Sequence, residues 1–463
     1  ALQSIFFDLS RVTRLRLGAE FLPLRDLSVM LDFALFGRWW GGFHLMNALV
    51  YAALCALLLL VLRRWLGRPE LALVAALIYL THPLHVESVA WLAERKGLLA
   101  AAFGLGSCLA FYRFAARGHL AAWLATALLL VCGIWSKGLA VATVGLLAAL
   151  LWLFPPAGCS WRRAWCGWGA LAVTALLACV PLWITGGRMA MVGDYHGGSF
   201  AANAALAAEA HGLYLKHALL IGDLGIGYPL DAQAPVAWRA ALGALSTGAL
   251  LGLAFVTVWR RGKWPIVGLA AIAWLVFLLP VSQIVLPLQN PIADRYALLP
   301  TVGWALALAA LLGHLERRRW RWALVVAVTV VQAGLALLQT RSWADDRSLY
   351  QQALRAHPGN VDAMLQLARL EREPRLAAGW IDRAARLAPD NGRVRMHRGL
   401  FLARQGDLGG AIAELRRASS HPDADKARAN LALLLLRAGQ NDEALRRARE
   451  AARIRPLAHH NQH

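Results

Sequence analysis

Apolar residues dominate the first three quarters of the chain, where they form a train of segments separated by short polar loops. A membrane-spanning helix needs about 20 mostly apolar residues, and this pattern comes close to that length repeatedly. The ten segments predicted to span a membrane are 43–62, 71–80, 97–111, 120–135, 139–154, 167–184, 238–258, 265–285, 296–315 and 320–339. After Thr340 the chain becomes charged and amphipathic, which predicts a second, helical region.

The composition supports a membrane protein. The 463 residues are 59% hydrophobic and 16% charged, with a net charge of +21. In such a chain an excess of Arg indicates orientation in the bilayer and contact with lipids, and it does not indicate nucleic-acid binding. The six cysteines form no disulfide framework and no pattern of zinc ligands, so we expect no metal site from them.

Arginine clusters predict the orientation of the segments. Cations follow every second apolar segment, at Arg63, Arg64, Arg68, Arg113, Arg117, Arg162, Arg163, Arg260, Arg261, Lys263, Arg317, Arg318, Arg319 and Arg321. Because positive loops stay in the cytoplasm, the alternate loops and everything after Thr340 are predicted to lie on the non-cytoplasmic side of a bacterial inner membrane. The stretch 200–230 is interrupted by His211, Lys216, His217 and Asp223, so we expect a helix that lies on or dips into that outer surface.

The second region has the spacing of a helical repeat. Prolines recur roughly every 31 to 34 residues, and pairs of alanines precede them at constant offsets. These residues are Pro358, Pro389, Pro422 and Pro456, with Ala377, Ala384, Ala411, Ala418, Ala444 and Ala451. Asn360, Asp390 and Asp423 are expected to cap helices. This pattern predicts a tetratricopeptide-repeat α-solenoid over 341–457, with a tail over 458–463, whose concave face binds polypeptides.

The loop between the second and third apolar segments concentrates ionisable side chains, namely His82, His85, Glu87, Glu94, Arg95 and Lys96. One interpretation is a helix cap formed by the two glutamates beside a solvated charge run. The other is the polar rim of an active site at the mouth of a membrane cavity. In the second interpretation Glu87 is free to face the cavity, since Arg95 is too distant for an i,i+4 pair.

Two further cations stand in outer loops where the orientation rule expects few. Lys137 lies in the turn 136–138, and Arg295 lies between Asp294 and Tyr296. Cations at such a rim suit a phosphate or pyrophosphate on a lipid carrier. The alternative is that they extend along the membrane interface, with Tyr296 in the aromatic belt. The Gly-rich loop with Asp194, Tyr195 and His196 is interpreted as a solvated linker rather than a lid.

Several motifs occur together in one order along nearly the whole chain: FLPLRD at 21–26, LDFALFG at 31–37, GFHLMN at 42–47, HPLHVESVAW at 82–91, AERK at 93–96, SK at 136–137, ADRY at 293–296, LPTVG at 299–303 and RSW at 341–343. In these motifs the chain resembles bacterial relatives of the transmembrane and tetratricopeptide-repeat O-mannosyltransferases, which have the C-type glycosyltransferase fold. The resemblance implies an all-α protein, a polytopic membrane helix bundle followed by the repeat solenoid.

The resemblance also implies an activity: transfer of a sugar from a polyprenyl-phosphate donor to a Ser/Thr or glycan hydroxyl on the non-cytoplasmic face, with inversion. We expect Glu87, His85 and Asp26 to be catalytic. The donor phosphate is assigned to Arg295, Lys137, Arg95 and Lys96, and His82, Asp294 and Tyr296 complete the rim. No cofactor is assigned and a divalent cation is left open. The expected partners are the lipid-linked sugar, membrane lipids and an acceptor polypeptide on the repeats.

In that family the acidic pair lies in the first outer loop. Because residue 1 is Ala and no apolar span precedes it, we expect residues 1–42 to be part of that loop, with the pair upstream, or with Asp8, Glu20 or Asp26 in its place. The membrane domain is predicted over 43–340. Two other functions stay open: a ligase for lipid-linked oligosaccharides, and a non-catalytic membrane-anchored repeat scaffold.

Overall fold

A computed structural model of the chain describes residues 2–10, 13, 17, 20–188, 195–220, 222, 224–230, 235–260, 264–285, 287–288, 290–420 and 424–454. Within these ranges the protein is helical and contains no β-strand, as the all-α prediction requires. The chain divides into two compact units. Unit 1 comprises Ala1–Leu224 and Leu230–Trp343, and unit 2 comprises Gly225–Pro229 and Ala344–His463. The domain boundaries predicted at 42, 340 and 457 stay predictions.

The α-helices of unit 1 follow the apolar segments of the sequence. They are α1 (Leu2–Phe6), α2 (Pro23–Phe36), α3 (Trp40–Leu66), α4 (Pro69–Leu80), α5 (Val86–Ala90), α6 (Arg95–Arg117), α7 (Leu120–Ser136), α8 (Thr143–Leu153), α9 (Trp161–Arg188), α10 (Phe200–Leu220), α11 (Ala237–Trp259), α12 (Pro265–Leu278), α13 (Thr301–Gly313) and α14 (Arg318–Arg341). Short 3₁₀ turns at Pro83–His85, Leu92–Glu94, Gly138–Ala142 and Asp294–Ala297 form several of the connections.

Only some of the predicted spans form helices long enough to cross a membrane. Among the described residues five helices are long and apolar enough to cross a bilayer, namely Trp40–Leu66, Leu92–Arg117, Trp161–Gly187, Ala237–Trp259 and Arg318–Arg341. A sixth forms if α4 and the segment Pro83–Ala90, bent by 56°, count as one broken span. The other four predicted spans are shorter apolar helices. The predicted orientation stays a prediction, and Arg261 and Lys263 lie outside the described residues.

Glycines allow the helices of unit 1 to approach closely. A Cβ on Gly303 would lie 2.3 Å from the carbonyl oxygen of Ala270, and one on Gly243 would also overlap backbone, at Ala208. A Cβ on Gly104 would lie 2.7 Å from the hydroxyl of Thr143. Close backbone approach through small residues is typical of helix packing in membranes, where association depends on van der Waals contact.

Helix α10 packs into unit 1 through a polar face. The ring of His211 accepts a hydrogen bond from Trp274 Nε1 (2.9 Å) and contacts the hydroxyl of Thr247, while Asn203 donates to the carbonyl of Gln283 (2.8 Å). The surface prediction for this stretch relied in part on His211. In the structure this residue instead anchors the helix to its neighbours. Asp223, on which the prediction also relied, lies outside the described residues.

Unit 2 is a succession of α-helices in which each helix contacts the next one along the chain. Its helices are α15 (Asp346–Ala356), α16 (Val361–Leu370), α17 (Pro374–Leu387), α18 (Gly392–Arg404), α19 (Leu408–Ser419), α20 (Asp425–Arg437) and α21 (Asn441–Ile454). The six alanines that precede the repeating prolines are all buried, between 0% and 6% exposed. These small side chains lie where neighbouring helices meet. Pro422, Asp423 and Pro456 lie outside the described residues.

Of the three expected caps, Asn360 forms, Asp390 is replaced by its neighbour, and Asp423 lies outside the described residues. The side chains of Asn360 and Asp345 accept backbone hydrogen bonds at the starts of α16 and α15. At α18 the cap is Asn391, and Asp390, for which the role was predicted, pairs instead with Arg395 at 2.8 Å. Asn360 also donates to the carbonyls of Ile226 (2.9 Å) and Gly227 (2.6 Å), so it ties the segment Gly225–Pro229 to the helices of unit 2.

We predict that Asn360→Ala destabilises unit 2 more than Asn391→Ala does. Each change removes a cap that contributes about 1 kcal/mol. Asn360→Ala also leaves two backbone carbonyls without their donor, which costs roughly 1–3 kcal/mol more. Hydrogen exchange of the amides in α16 and α18 in the full-length protein measures both effects. Equal protection losses in the two variants would contradict the second role of Asn360.

Candidate functional site

The candidate site forms where the loop after α4 meets the loop before α13. Pro83 has no backbone N–H to donate a helical hydrogen bond. The chain bends by 56° between α4 and the segment Pro83–Ala90. The hydroxyl of Tyr79, at the end of α4, donates to the carbonyl of Leu298 at 2.9 Å. Residues more than 200 positions apart in the sequence are joined here, so the two loops hold each other in place.

His85 fastens the loops through both ring nitrogens. Its Nε2 lies 2.7 Å from the hydroxyl of Thr301, and its Nδ1 lies 2.7 Å from the hydroxyl of Tyr51. The Thr301 hydroxyl also donates to the carbonyl of Leu298, and the Tyr51 hydroxyl also donates to the carbonyl of Leu80, both at 2.9 Å, so the imidazole lies between two hydroxyls that are themselves anchored to the backbone. His82, also buried, lies 3.3 Å from the carbonyl of Ala218. Both histidines are therefore engaged inside the protein.

Glu87 holds Arg295 with both carboxylate oxygens. Oε1 accepts from Arg295 Nη1 at 2.6 Å, and Oε2 accepts from the Arg295 backbone amide at 2.9 Å. The expectation that Glu87 faces a cavity freely is therefore wrong. That expectation rested on possible partners within the same helix, whereas the actual partner, Arg295, comes from the loop before α13. Glu87 fixes both the backbone and the side chain of Arg295.

Glu94 lies between two cations. Its Oε1 is hydrogen-bonded to Lys137 Nζ, and its Oε2 lies 3.9 Å from Arg295 Nε. Glu94 is the N-cap residue of α6, but its side chain makes no cap hydrogen bond. Gly97 provides the space, since a Cβ there would lie 2.4 Å from Oε1. Glu87, Glu94, Lys137 and Arg295 are called the charge cluster below.

The cations of the charge cluster lie nearer the surface than the carboxylates. The side chains of Lys137 and Arg295 are 15% and 14% exposed, against 0% for Glu94 and 4% for Glu87. Burial lowers the pKa of Arg295, but Glu87, Tyr296 and Glu94 raise it more, so the net pKa is raised and the guanidinium stays charged. The accessible part of the cluster is therefore cationic.

Aromatic rings border the cations. The guanidinium of Arg295 lies 4.9 Å from the ring centre of Tyr296 and 5.1 Å from that of Trp91. Lys137 Nζ lies 5.7 Å from the Tyr296 ring. The pKa of the Tyr296 phenol is raised, and burial is the largest cause. The phenol therefore stays neutral. Trp91 is 40% exposed and offers an accessible apolar face beside the cluster.

Arg95 belongs to a separate buried frame. It is ion-paired with Asp32, donates from Nε to Asn47 Oδ1 (2.7 Å) and donates from Nη2 to the carbonyl of Phe43 (2.7 Å). Asn47 in turn donates to the carbonyl of Val89 at 3.0 Å. The frame joins α2 and α3 to the loop that carries Glu87 and Glu94, which makes Arg95 a positioning residue in this structure.

Lys96 forms an ion pair with the N-terminal segment. Its Nζ lies 2.6 Å from Glu20, which contacts Arg25 at 3.0 Å, and Arg25 contacts Asp26 at 2.7 Å. This N-terminal ion chain is more exposed than the charge cluster, with Glu20 at 36%.

The structure thus brings Arg295, Lys137, Glu87 and Tyr296 together and gives Arg95, Lys96 and Asp26 other partners. Asp294 is buried at the start of the same 3₁₀ turn as Arg295. Asp194 lies outside the described residues, and His196 contacts the carbonyl of Leu288 at 2.8 Å.

Sequence reasoning named Glu94 among the ionisable residues of the loop but gave it no role of its own in the site. Its position directly before Arg95, Lys96 and the helix glycine Gly97 was the available signal. Among the described residues no group of three or more His, Cys, Asp and Glu is arranged to hold a metal ion. Comparison of the chain with protein-family models and with curated proteins found no match.

We predict strong coupling between Glu94 and Lys137. Removing one partner of a buried ion pair leaves an uncompensated charge, so Lys137→Met and Glu94→Gln should each lower the free energy of unfolding by about 3–5 kcal/mol. The double variant should be clearly less destabilised than the sum of the two single variants. Lys96→Met, which breaks a more exposed pair, should cost about 1 kcal/mol or less. Unfolding in detergent micelles measures all four, and additive effects would contradict the coupling.

We further predict that Gly97→Ala perturbs the site whereas Gly106→Ala does not. Both glycines lie in α6, and Gly→Ala in a helix normally stabilises by about 0.5–1 kcal/mol. At Gly106 the nearest atom is an ordinary 3.6 Å away, but at Gly97 the added methyl displaces the Glu94 carboxylate. Thermal unfolding should show a lower melting temperature for Gly97→Ala only. A gain in both variants would show that Glu94 does not need this space.

Proposed function

We propose that the protein is a membrane glycosyltransferase of the C-type fold that transfers a sugar from a polyprenyl-phosphate donor to a hydroxyl acceptor. The single observation that carries the proposal is the arrangement of the charge cluster. Two cations from distant parts of the chain, Lys137 and Arg295, converge with their accessible sides outward and their compensating carboxylates behind them.

Such an arrangement suits a departing phosphate. When the bond from the sugar to the phosphate oxygen breaks, the leaving group gains negative charge, and fixed cations stabilise it without reorganising. Glu87 fixes Arg295 in advance through two hydrogen bonds. In this mechanism Glu87 and His85 are positioning residues, and Lys137 and Arg295 contact the donor. The exposed ring of Trp91 provides an apolar surface beside the phosphate.

The acceptor hydroxyl must lose a proton to a carboxylate during transfer. Glu87 is saturated by Arg295, so among the described residues the N-terminal ion chain offers the more accessible carboxylates, Glu20 and Asp26. If the resemblance in motif order holds, this segment corresponds to part of the loop in which the family carries its acidic pair. Asp26, held by Arg25, is the base we assign within this chain.

Unit 2 is proposed to be a tetratricopeptide-repeat solenoid that presents an acceptor polypeptide. Its succession of contacting helices, its buried alanines at repeating offsets and the close contact at Gly399 support this arrangement. A Cβ on Gly399 would lie 3.1 Å from the carbonyl of Ala411. Stacked helical repeats form extended surfaces that bind polypeptides.

We predict that Arg295→Gln lowers sugar transfer by roughly 10²-fold or more, because a fixed cation at the leaving group is lost. The control is Arg321→Gln, which removes another partly buried arginine of unit 1, paired with Glu70 at 2.9 Å. The assay uses the purified full-length protein, a polyprenyl-phosphate sugar and an acceptor identified by mass spectrometry of periplasmic glycopeptides. Equal activity in the two variants would contradict the role of Arg295.

A non-catalytic scaffold is the second candidate, and one observation favours it. The charge cluster holds two carboxylates against two cations, so it is compensated without any ligand. A scaffold would keep its partners in Arg295→Gln and would show no transfer in the native protein. Including lipid-pyrophosphate oligosaccharides in the same assay separates the ligase alternative, which would use these donors in preference.

A further inference from the structure

A recess of about 370 Å³ lies between α6 and α7, at the ends of these helices that adjoin Gly118. Arg113 and Arg117 of α6 and His119 at the start of α7 line it, and four alanines complete the lining: Ala110, Ala121, Ala122 and Ala125. The alanines leave the space open because their side chains end at Cβ. The recess lies at the opposite end of α6 from Glu94 of the charge cluster, since Glu94 directly precedes this helix and Arg117 ends it.

The positive charge of this recess is not compensated by any acidic side chain among the described residues. The side chains of Arg113, Arg117 and His119 form no ion pair or hydrogen bond with any other residue that the structure describes. The sequence from 95 to 193 contains eight Lys and Arg residues and no Asp or Glu. Arg163 adds a further cation beside the recess, where it packs over Gly118 and donates to the carbonyl of Ala115 at 3.3 Å.

The surroundings of the recess are apolar. Leu120, Leu124 and Leu128 lie on one side of α7 and are 67%, 53% and 65% exposed. The segment Leu92–Arg117, which ends at the recess, is long and apolar enough to cross a bilayer. An anionic group with attached hydrocarbon would therefore meet cations and small side chains at its charged end and leucines along its chains.

We propose that this recess binds the phosphodiester of an anionic phospholipid headgroup, with Arg113 and Arg117 as its ligands and the acyl chains along Leu120, Leu124 and Leu128. Guanidinium groups suit this task, since their N–H groups match the geometry of phosphate oxygens. The site is independent of the proposed sugar transfer, because none of its residues belongs to the charge cluster.

The test measures the binding of phosphatidylglycerol to the full-length protein in detergent micelles, by native mass spectrometry and by the shift in thermal unfolding. The double variant Arg113→Gln/Arg117→Gln should bind this lipid about tenfold or more weakly, since each arginine near a lipid phosphate contributes on the order of a few-fold to tenfold. Phosphatidylcholine, whose headgroup is neutral overall, should bind equally to the native protein and the variant.

The control is Arg63→Gln/Arg68→Gln, which removes the same charge from two exposed arginines outside the recess lining, one in the last turn of α3 and one directly before α4. It should keep nearly native affinity for phosphatidylglycerol. Equal losses in both double variants would show attraction by surface charge alone and would overturn the site, as would no loss in Arg113→Gln/Arg117→Gln. Inorganic phosphate that stabilises the native protein as strongly as the lipid does would overturn the lipid assignment.

Discussion

The carboxylate of Glu94 is removed from solvent completely, and the arrangement of the surrounding loops depends on how that charge is compensated. An ionised carboxylate in the interior costs several kcal/mol unless cations and hydrogen bonds replace its water. Lys137 and Arg295 supply this compensation from the turn after α7 and the loop before α13. The absence of a side chain at Gly97 leaves the space that the carboxylate occupies. Three connections of unit 1 are thus joined by one buried charge.

The same constraint gives the site its chemical character. The carboxylates are buried, and the two cations that compensate them keep their slight exposure, so an approaching ligand meets positive charge first. The frame around Arg95 fixes the loop from behind, and His85 fixes the facing loop at Thr301. Preorganised cations of this kind stabilise a developing anion without further rearrangement. A phosphate leaving group on a membrane-soluble donor has the matching charge.

The sequence predicted the helices well and the partners poorly. Helices form wherever the apolar segments lie, since that pattern is local, and the cap at Asn360 is likewise a short-range feature. Several predicted spans are too short because hydropathy marks apolar chain without fixing where a helix ends. Arg95 and Lys96 are adjacent, but one enters the buried frame and the other joins Glu20. Glu87 and Arg295 are 208 residues apart, and no local pattern connects them.

Hydrogen exchange of the full-length protein, with and without a polyprenyl-phosphate sugar, tests most directly whether the charge cluster receives the donor phosphate. Donor binding should slow exchange in three segments together, 86–97, 133–141 and 292–301, because the ligand would bridge the loops that carry Glu94, Lys137 and Arg295. The helices of unit 2 should exchange as before. Unchanged exchange in all three segments at saturating donor would contradict the account.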